Sequence, residues 1–540
     1  MPITNNIKIK SILEKKIVTL FIILFITAGR IIQVIFLFNI RSDRSYQMLA
    51  TQNFLSGHGI SLAHVLPDNL SKEIYEPLIN WPPGYSLLLS PVYFVCNNNY
   101  IIAGLILEVF FSLLLIFITR SILKTLNVQP YLVNIYTLFT GFIIYPFYIK
   151  PSSDAIAITF FLLAFHFTLS LLVTNKHTNL KTAGLIISLF LSASIKYLFI
   201  PVVFVIPLFL LVKGVIDVNS HIKRVGIFSL LILGMALSAL LLYQKNVSGS
   251  AIYITQPTRG FFPENLISPY PFIPASFINP ETTGMILQKK YTEGSLVDRI
   301  FQVIHLFTFF LIFLYGFWLM YKNRFKKLSA ASTFFYLSFL VSLSITLLLM
   351  ILSVRVAKED GWWTYVLEPR YYGLIILLIQ LSFFIIYQYN SFKKYTRYTF
   401  IILLILMLPD MFRGIAFSTK RVINYKKEEY SWQTELKIQQ YADEIIKKGK
   451  RKYNVEQVVL TGSSDYMNNR VCLYSHIPQM DSLEKINNLS SLNTKTPVLL
   501  LVMLRQDVLP SFQTFFNQKE KEVAGNFYGF YFYTVYVKPH

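Results

Sequence analysis

The residues that could do chemistry in this 540-residue chain are carboxylates and cations that stand beside long apolar runs. A carboxylate in such a place can take a proton from an attacking group, and cations can face a phosphate. Each residue also has a structural explanation, since carboxylates cap helix N-termini and cations anchor the ends of membrane spans. The set comprises Asp43, Asp154, Glu359, Glu368, Arg259, Arg355, Lys358 and Arg370.

The elements that carry these residues are those of a membrane protein. Hydrophobic residues make up 54% of the chain and charged residues 14%, whereas a soluble domain carries about 25% charged residues. The formal charge of +22 comes from Lys and Arg that lie between apolar runs. This arrangement favours a lipid bilayer over a nucleic acid as the partner. It excludes a disordered chain, a fibrous repeat and a small soluble enzyme.

Eleven apolar runs approach the length of about 20 residues that a membrane helix needs. The stretch 181–213 is counted as two spans because Lys196 and Pro201 interrupt it. The predicted spans are 17–39, 100–119, 131–149, 153–174, 181–196, 198–213, 225–243, 300–321, 331–353, 371–389 and 398–416.

The Lys and Arg residues of the short loops predict the orientation. With a cytoplasmic N-terminus, every inner segment is basic, and the inner segments contain only Glu14 and Asp217 as acidic residues. An odd number of spans then places the C-terminus outside the cytoplasm. The predicted location of the chain is the plasma (inner) membrane. Two long outer loops, 40–99 and 244–299, lie on the same side as the tail.

The sequence therefore predicts two domains. Residues 1–416 form a polytopic helical membrane domain that includes the two outer loops. Residues 417–540 form a small extracytoplasmic α/β domain, because strand-like runs at 455–460, 498–503 and 527–537 alternate with helical patterns at 434–448 and 509–521. In the loop 244–299, aromatic residues alternate with prolines, which favours a lid close to the substrate.

Motifs with chemical potential begin in the first outer loop. Asp43 opens a helical pattern that we interpret as an amphipathic helix on the membrane surface, and this pattern ends in Leu-Ser-Gly-His-Gly at 55–59. The sequence Trp-Pro-Pro-Gly-Tyr follows at 81–85 and precedes an apolar run.

Three further motifs follow in order. They are Pro-Ser-Ser-Asp at 151–154, Ser-Ala-Ser-Ile-Lys-Tyr at 192–197 and Glu-Pro-Arg-Tyr-Tyr at 368–372. With the first-loop pattern, they resemble the GT-C glycosyltransferases over about residues 15–415. This superfamily includes protein O-mannosyltransferases and the aminoarabinose transferases of lipid A. Its members take a sugar from a polyprenyl-phosphate carrier on the non-cytoplasmic face of the membrane.

The resemblance implies an inverting glycosyltransferase that delivers a sugar from a polyprenyl-phosphate donor to an extracytoplasmic acceptor, which is a glycolipid, a polysaccharide or a protein. Asp43 matches the position of the general base, and Asp154 is a second catalytic candidate that would orient the substrate. The candidates for binding the donor phosphate are, in order, Arg370, Lys196 and Arg259. The residues expected near the substrate are Tyr46, His58, Tyr85, Glu368 and Tyr371.

The resemblance has one departure. Asp43 stands alone where many relatives carry a pair of acidic residues, so no metal ligand and no cofactor is assigned. Whether the protein requires a divalent cation stays open. Three alternatives remain: a polytopic transporter, a polymerase or ligase of lipid-linked polysaccharides, and a catalytically inactive scaffold. The chain has no repeated halves of the kind that transporters show, and its candidate residues gather on one face of the membrane.

We expect the exchange Asp43→Asn to lower sugar transfer by about 10²–10⁴-fold, because the amide cannot accept the acceptor's proton. The measurement uses purified protein, a radiolabelled polyprenyl-phosphate sugar and a membrane extract as the source of acceptor. Unchanged transfer in this variant would refute the role of Asp43 as the base without refuting the enzyme class.

Overall fold

The structure is a computed structural model of the chain. It describes residues 13–38, 40, 42–142, 152–174, 176–249, 270–288, 295–323, 329–352, 355–358, 361–364, 369–390, 393–424, 431–462, 477–480, 492–505 and 521–539.

Helices dominate the described residues. They are α1 (Lys16–Leu37), α2 (Ser42–Leu55), α3 (Gly84–Val95), α4 (Tyr100–Thr125), α5 (Pro130–Gly141), α6 (Ser152–Val173), α7 (Thr178–Ile195), α8 (Phe199–Val202), α9 (Val205–Ile216), α10 (Ser220–Ser248), α11 (Phe272–Ala275), α12 (Pro280–Ile286), α13 (Leu296–Asn323), α14 (Ala330–Leu352), α15 (Gly373–Asn390), α16 (Lys394–Ile423) and α17 (Ser431–Tyr453).

The strands belong to two sheets. They are β1 (Ser61–Leu66), β2 (Asn69–Pro77), β3 (Arg355–Lys358), β4 (Gly361–Thr364), β5 (Gln457–Gly462), β6 (Gln479–Met480), β7 (Val498–Arg505), β8 (Lys521–Phe527) and β9 (Phe530–Val537). A 3₁₀ turn at Pro369–Tyr372 leads into α15.

Within the described residues, 10 helices are long and apolar enough to cross a membrane. Each coincides with one of the eleven predicted spans, and the chain is a multi-pass membrane protein. The remaining predicted span, 131–149, begins as α5, and its continuation at 143–150 lies outside the described residues.

The predicted interruption of 181–213 is confirmed. Helix α7 ends at Ile195, and Lys196 adopts an extended conformation with φ −142° and ψ 121°. The chain then re-enters helix at Phe199, so that α8 and α9 together form a second candidate span, Phe199–Ile216.

The chain divides into two compact units. The helical unit comprises Met1–Val34, Glu108–Tyr243 and Ile252–Asn424. The sheet unit comprises Ile35–Leu107, Gln244–Ala251 and Tyr425–His540.

A buried glutamine joins three helices of the helical unit. The Nε2 atom of Gln33 on α1 donates to the carbonyl oxygens of Phe142, at the end of α5, and of Gly414 on α16, at 3.3 Å each. Gly414 permits this approach, because a Cβ atom at this position would lie 1.8 Å from the Phe142 carbonyl oxygen. A polar side chain inside an apolar bundle thus finds its hydrogen-bond partners in backbone carbonyl oxygens of neighbouring segments.

The sheet unit is built around a mixed seven-stranded sheet with the order β2-β1-β6-β5-β7-β9-β8. Strand β7 has the uninterrupted apolar sequence Val-Leu-Leu-Leu-Val-Met-Leu, and its alternate residues enter two different hydrophobic clusters. One of these clusters also contains Ile438, Ala442 and Ile445 of α17. An apolar run without alternation is the pattern of a strand that is covered on both faces.

This sheet corrects the predicted domain boundary. The hairpin β1–β2 comes from the first outer loop, which was assigned to the membrane domain, yet β1 pairs in parallel with β6 of the tail, with His64 opposite Gln479. Pairing between strands so far apart in the sequence leaves no local pattern. The predicted strand 527–537 is also shorter, because Tyr528 and Gly529 have positive φ angles and form the turn between β8 and β9.

The helix predicted after Asp43 is confirmed as α2, but its described side chains do not form an exposed polar face. Its small polar residues Ser45 and Thr51 are fully buried, and it packs against α3 and β1. The predicted tail helix at 509–521 lies almost entirely outside the described residues.

We expect Gly414→Ala to destabilise the helical unit by about 1–3 kcal/mol, since the new methyl group would push α16 away from the Phe142 carbonyl. Thermal unfolding of the detergent-solubilised protein measures the effect. Gly234→Ala on α10 is the matched control, because no atom lies within 4 Å of its Cβ position and alanine favours a helix by up to about 1 kcal/mol. Equal melting temperatures for both variants would contradict the close packing at Gly414.

Candidate functional site

Three of the motifs meet around Asp154 in the helical unit. Asp154 lies in the first turn of α6, Lys196 lies at the break after α7, and Arg370 and Tyr371 lie on the 3₁₀ turn before α15. We call these four residues the charged cluster. The sequence predicted each of them as a site residue, and the structure brings them together.

An ion pair forms the centre of the charged cluster. The Nζ atom of Lys196 lies 2.8 Å from Oδ1 of Asp154, and the Nη1 atom of Arg370 lies 3.9 Å from Oδ2 of the same carboxylate. The three side chains are only 10–12% exposed. Two cations therefore face one carboxylate in a largely desolvated place, where charges interact far more strongly than in water.

The aromatic ring of Tyr371 completes the cluster. Lys196 Nζ lies 5.3 Å and Arg370 Cζ 5.0 Å from the centroid of the ring, within the range of cation–π attraction. Nη2 of Arg370 also donates to the Tyr371 hydroxyl at 3.3 Å. Both cations therefore contact the Tyr371 side chain as well as the carboxylate.

The local structure explains why Lys196 reaches Asp154. Helices α6 and α7 are consecutive and pack closely, and the hydroxyl of Ser192 donates to the Ala157 carbonyl oxygen of α6 at 2.9 Å. A Cβ atom on Gly184 of α7 would lie 2.6 Å from the ring of Phe167. The end of α7 is thereby fixed beside the first turn of α6, and the helix break turns Lys196 toward Asp154.

Residues 270–272 of the outer loop 244–299 pack against Tyr372, which adjoins the charged cluster in the sequence. The ring of Phe272 on α11 stacks on Tyr372 at 5.0 Å, and Tyr270 lies 5.8 Å from the same ring. Tyr372 directly follows the two cluster residues Arg370 and Tyr371. The sequence favoured a lid near the substrate in this loop. It did not predict the contacts with Tyr372, which put aromatic residues of the loop next to the site.

The sequence also did not predict a set of polar contacts between this loop and α16. The carboxylate of Asp410 on α16 accepts the backbone N–H of Asn279 at 2.8 Å, and Nη2 of Arg413 lies 3.4 Å from Oε2 of Glu281. Both pairs anchor α12 to α16. Charged residues inside the predicted span 398–416 were the available signal, since a charge within a span usually has a partner.

The first-loop residues belong to the sheet unit. Tyr46 stacks on Trp81 at 5.4 Å, and the hydroxyl of Ser86 donates to the Gln47 carbonyl oxygen at 2.8 Å. Tyr85 is fully buried, so in this structure it supports the packing of α3. The Trp-Pro-Pro-Gly-Tyr motif thus docks on the helix that Asp43 opens.

The other predicted site residues are placed as follows. Asp43 lies in the first turn of α2, and its side chain is outside the described part of the structure. Arg259 and Glu368 also lie outside the described residues. His58 is exposed and stacks on Tyr75 of the hairpin. The described residues contain no group of three or more His, Cys, Asp or Glu side chains that could hold a metal ion.

Three solved structures are similar to this chain. The crystal structure of ArnT from Cupriavidus metallidurans bound to undecaprenyl phosphate has 9% identity and a TM-score of 0.47, with 96% of this chain and 97% of ArnT covered. The apo form of that protein has 10% identity and a TM-score of 0.43, over 96% and 97% of the two chains.

The third structure is the archaeal oligosaccharyltransferase AglB from Archaeoglobus fulgidus, in complex with an inhibitory peptide and a dolichol-phosphate. It has 12% identity and a TM-score of 0.42, with 91% of this chain and 70% of AglB covered. ArnT and AglB belong to the GT-C superfamily. No known family model and no curated protein matches the sequence.

We expect Asp154→Asn to destabilise the protein by about 3–5 kcal/mol, because it leaves the buried Lys196 without its carboxylate. Lys196→Gln should cost less, because Arg370 still faces the Asp154 carboxylate. The double variant should cost clearly less than the sum, and a double-mutant cycle on the unfolding free energy measures this coupling.

The matched control for this cycle is the half-exposed pair of Arg413 and Glu281, whose side chains are 32% and 40% exposed. Its coupling should stay below about 1 kcal/mol. Additive effects of the Asp154 and Lys196 exchanges would refute the ion pair.

Proposed function

We propose that this protein is a GT-C-type glycosyltransferase that moves a sugar from a polyprenyl-phosphate donor to an extracytoplasmic acceptor. The observation that carries the proposal is the convergence of Lys196 and Arg370 on Asp154, beside the ring of Tyr371. Each residue comes from a motif that resembles this superfamily.

The proposed chemistry assigns the charged cluster to the donor phosphate. The acceptor oxygen attacks the anomeric carbon with inversion, while the bond between this carbon and the phosphate oxygen breaks. The polyprenyl phosphate leaves with the electron pair, and its charge is stabilised by Lys196 and Arg370. Asp154 holds the two cations in place, and the arginine fork suits the planar, two-point recognition of phosphate oxygens.

The remaining proton comes from the acceptor hydroxyl. We assign the removal of this proton to Asp43, because the first-loop motif resembles that of the GT-C superfamily. The Asp43 carboxylate then returns to its starting state by losing the proton to water. The substrate contacts that stay predictions are Arg259, Glu368, Tyr46, His58 and Tyr85.

The proposal includes an orientation. The basic inner loops predict a cytoplasmic N-terminus and an extracytoplasmic tail in the plasma membrane. Asp154 lies in the first turn of α6, which this orientation places at the outer face of the membrane, so the donor sugar would be used on the non-cytoplasmic side. ArnT and AglB were solved with undecaprenyl phosphate and a dolichol-phosphate, and lipid phosphates of this kind are the first donors to test.

We expect Lys196→Gln and Arg370→Gln each to lower sugar transfer by about 10²-fold, because each removes a cation that stabilises the leaving phosphate. Transfer is measured with a radiolabelled undecaprenyl-phosphate sugar and a membrane extract. Arg413→Gln serves as the control, since it removes a cation of the same unit that pairs with Glu281 instead.

The alternatives give different results in this assay. A scaffold would bind undecaprenyl phosphate without transferring label, and a transporter would move its substrate across vesicles without forming a glycosidic product. Wild-type protein that forms no labelled product with any membrane extract, or equal transfer in the three variants, would refute the proposed function.

A further inference from the structure

A histidine lies inside the candidate span Leu296–Trp318 of α13. His305 is 1% exposed, and neither the sequence motifs nor the proposed chemistry uses it. A polar side chain within a membrane span costs free energy unless it has a partner, and residues of this kind often mark functional sites. The partner of His305 therefore indicates what the residue does.

This partner is the backbone at the start of α11. The N–H of Ile273 donates to Nδ1 of His305 at 3.4 Å. The first N–H groups of a helix have no acceptor within the helix, and buried ones need another partner. The N–H of Phe272 donates to the Tyr270 carbonyl oxygen at 2.7 Å, and Pro274 has no N–H. His305 thus completes the pairing of this helix start, as a neutral imidazole that accepts at Nδ1.

The other end of α11 is attached to α15. The buried Gln380 on α15 donates from Nε2 to the Ser276 carbonyl oxygen, directly after α11, at 2.8 Å. Helix α15 begins immediately after the 3₁₀ turn Pro369–Tyr372. The short helix is therefore fixed at its start by α13 and at its end by the helix that continues from this turn.

The ring of Phe272 links His305 to the 3₁₀ turn. It lies 4.5 Å from the imidazole, nearly at a right angle to it, and stacks on Tyr372 at 5.0 Å. Tyr372 is buried and is the last residue of the turn that carries Arg370 and Tyr371. Closely packed side chains transmit displacements to their neighbours. A shift of α11 would therefore move Tyr372, and the turn would move with it.

We propose that His305 is a positioning residue for the 3₁₀ turn Pro369–Tyr372. Through the N–H of Ile273 and the ring of Phe272, it fixes the turn that presents Arg370 to the donor phosphate. The phosphate in this statement rests on the proposed function, whereas the contacts of His305 do not. His305 acts through α11 and contacts no reacting atom.

Two exchanges at position 305 separate the hydrogen bond from the packing of the ring. His305→Phe keeps an aromatic ring beside Phe272 but removes the acceptor. His305→Asn removes the ring but keeps an acceptor, because the Oδ1 atom of asparagine takes the place of Nδ1. The matched control is His166→Phe, which exchanges a half-buried histidine of α6 that contacts hydroxyl groups of α4.

Hydrogen-exchange mass spectrometry of the full-length protein in lipid nanodiscs measures the positioning directly. In His305→Phe, exchange should become about tenfold faster both at 270–276 and at 369–373, because these segments lose their anchor. In His305→Asn and in the control His166→Phe, it should stay within about twofold of wild type at both segments. Equal melting temperatures of the variants establish that the exchange reports a local change.

The functional measurement is the binding of radiolabelled undecaprenyl phosphate to the same proteins. His305→Phe should weaken this binding about fivefold, because a displaced Arg370 loses part of its charged contact with the phosphate. His305→Asn should restore most of the affinity, and His166→Phe should bind within about twofold of wild type.

The outcomes separate this inference from the proposed function. Wild-type protein that binds undecaprenyl phosphate but transfers no sugar would refute the proposed function and leave the role of His305 standing. Unchanged exchange at 369–373 in folded His305→Phe would overturn that role, and so would wild-type affinity in this variant. Equal losses in His305→Phe and His305→Asn would also overturn it, because the acceptor would then not matter. Wild-type protein without affinity for undecaprenyl phosphate would overturn both proposals.

Discussion

The ion pair between Lys196 and Asp154 depends on a helix that stops inside an apolar stretch. Backbone groups in a membrane must be paired within the protein, so a chain that leaves the helix at Ile195 needs compensation. The short turn at Phe199 restores helical pairing within a few residues, and the extended Lys196 gains a carboxylate and an aromatic ring. Without the break, Lys196 would continue along α7, and Arg370 would have no second cation beside it.

The same constraint explains the position of the cluster in the chain. All four side chains come from places where a helix begins or ends: the first turn of α6, the end of α7 and the 3₁₀ turn before α15. Helix ends are where charged groups can be held by neighbouring elements while the spans themselves stay apolar. The close packing of α6 on α7, through Ser192 and Gly184, then determines the distance between the charges.

The sheet unit illustrates a different principle. Its sheet becomes continuous because β6, which has only two residues, pairs in parallel with both β1 and β5. Through this strand, the first outer loop and the tail share one sheet. A short strand of this kind has too few residues for an alternating pattern, so the sequence did not predict β6.

The sequence by itself determined the spans that the structure describes, the break at Lys196, three of the strands of the tail (β5, β7 and β9) and the charged residues that form the cluster. These follow from composition and from periodicity, which act over neighbouring residues. The tertiary structure decided which of these residues meet: Asp154 with Lys196 and Arg370, Phe272 with Tyr372, and His58 with Tyr75. It also moved the first loop from the predicted membrane domain into the sheet unit. Contacts between distant segments depend on how helices and strands pack, and packing is a property of whole surfaces that no single stretch of sequence contains.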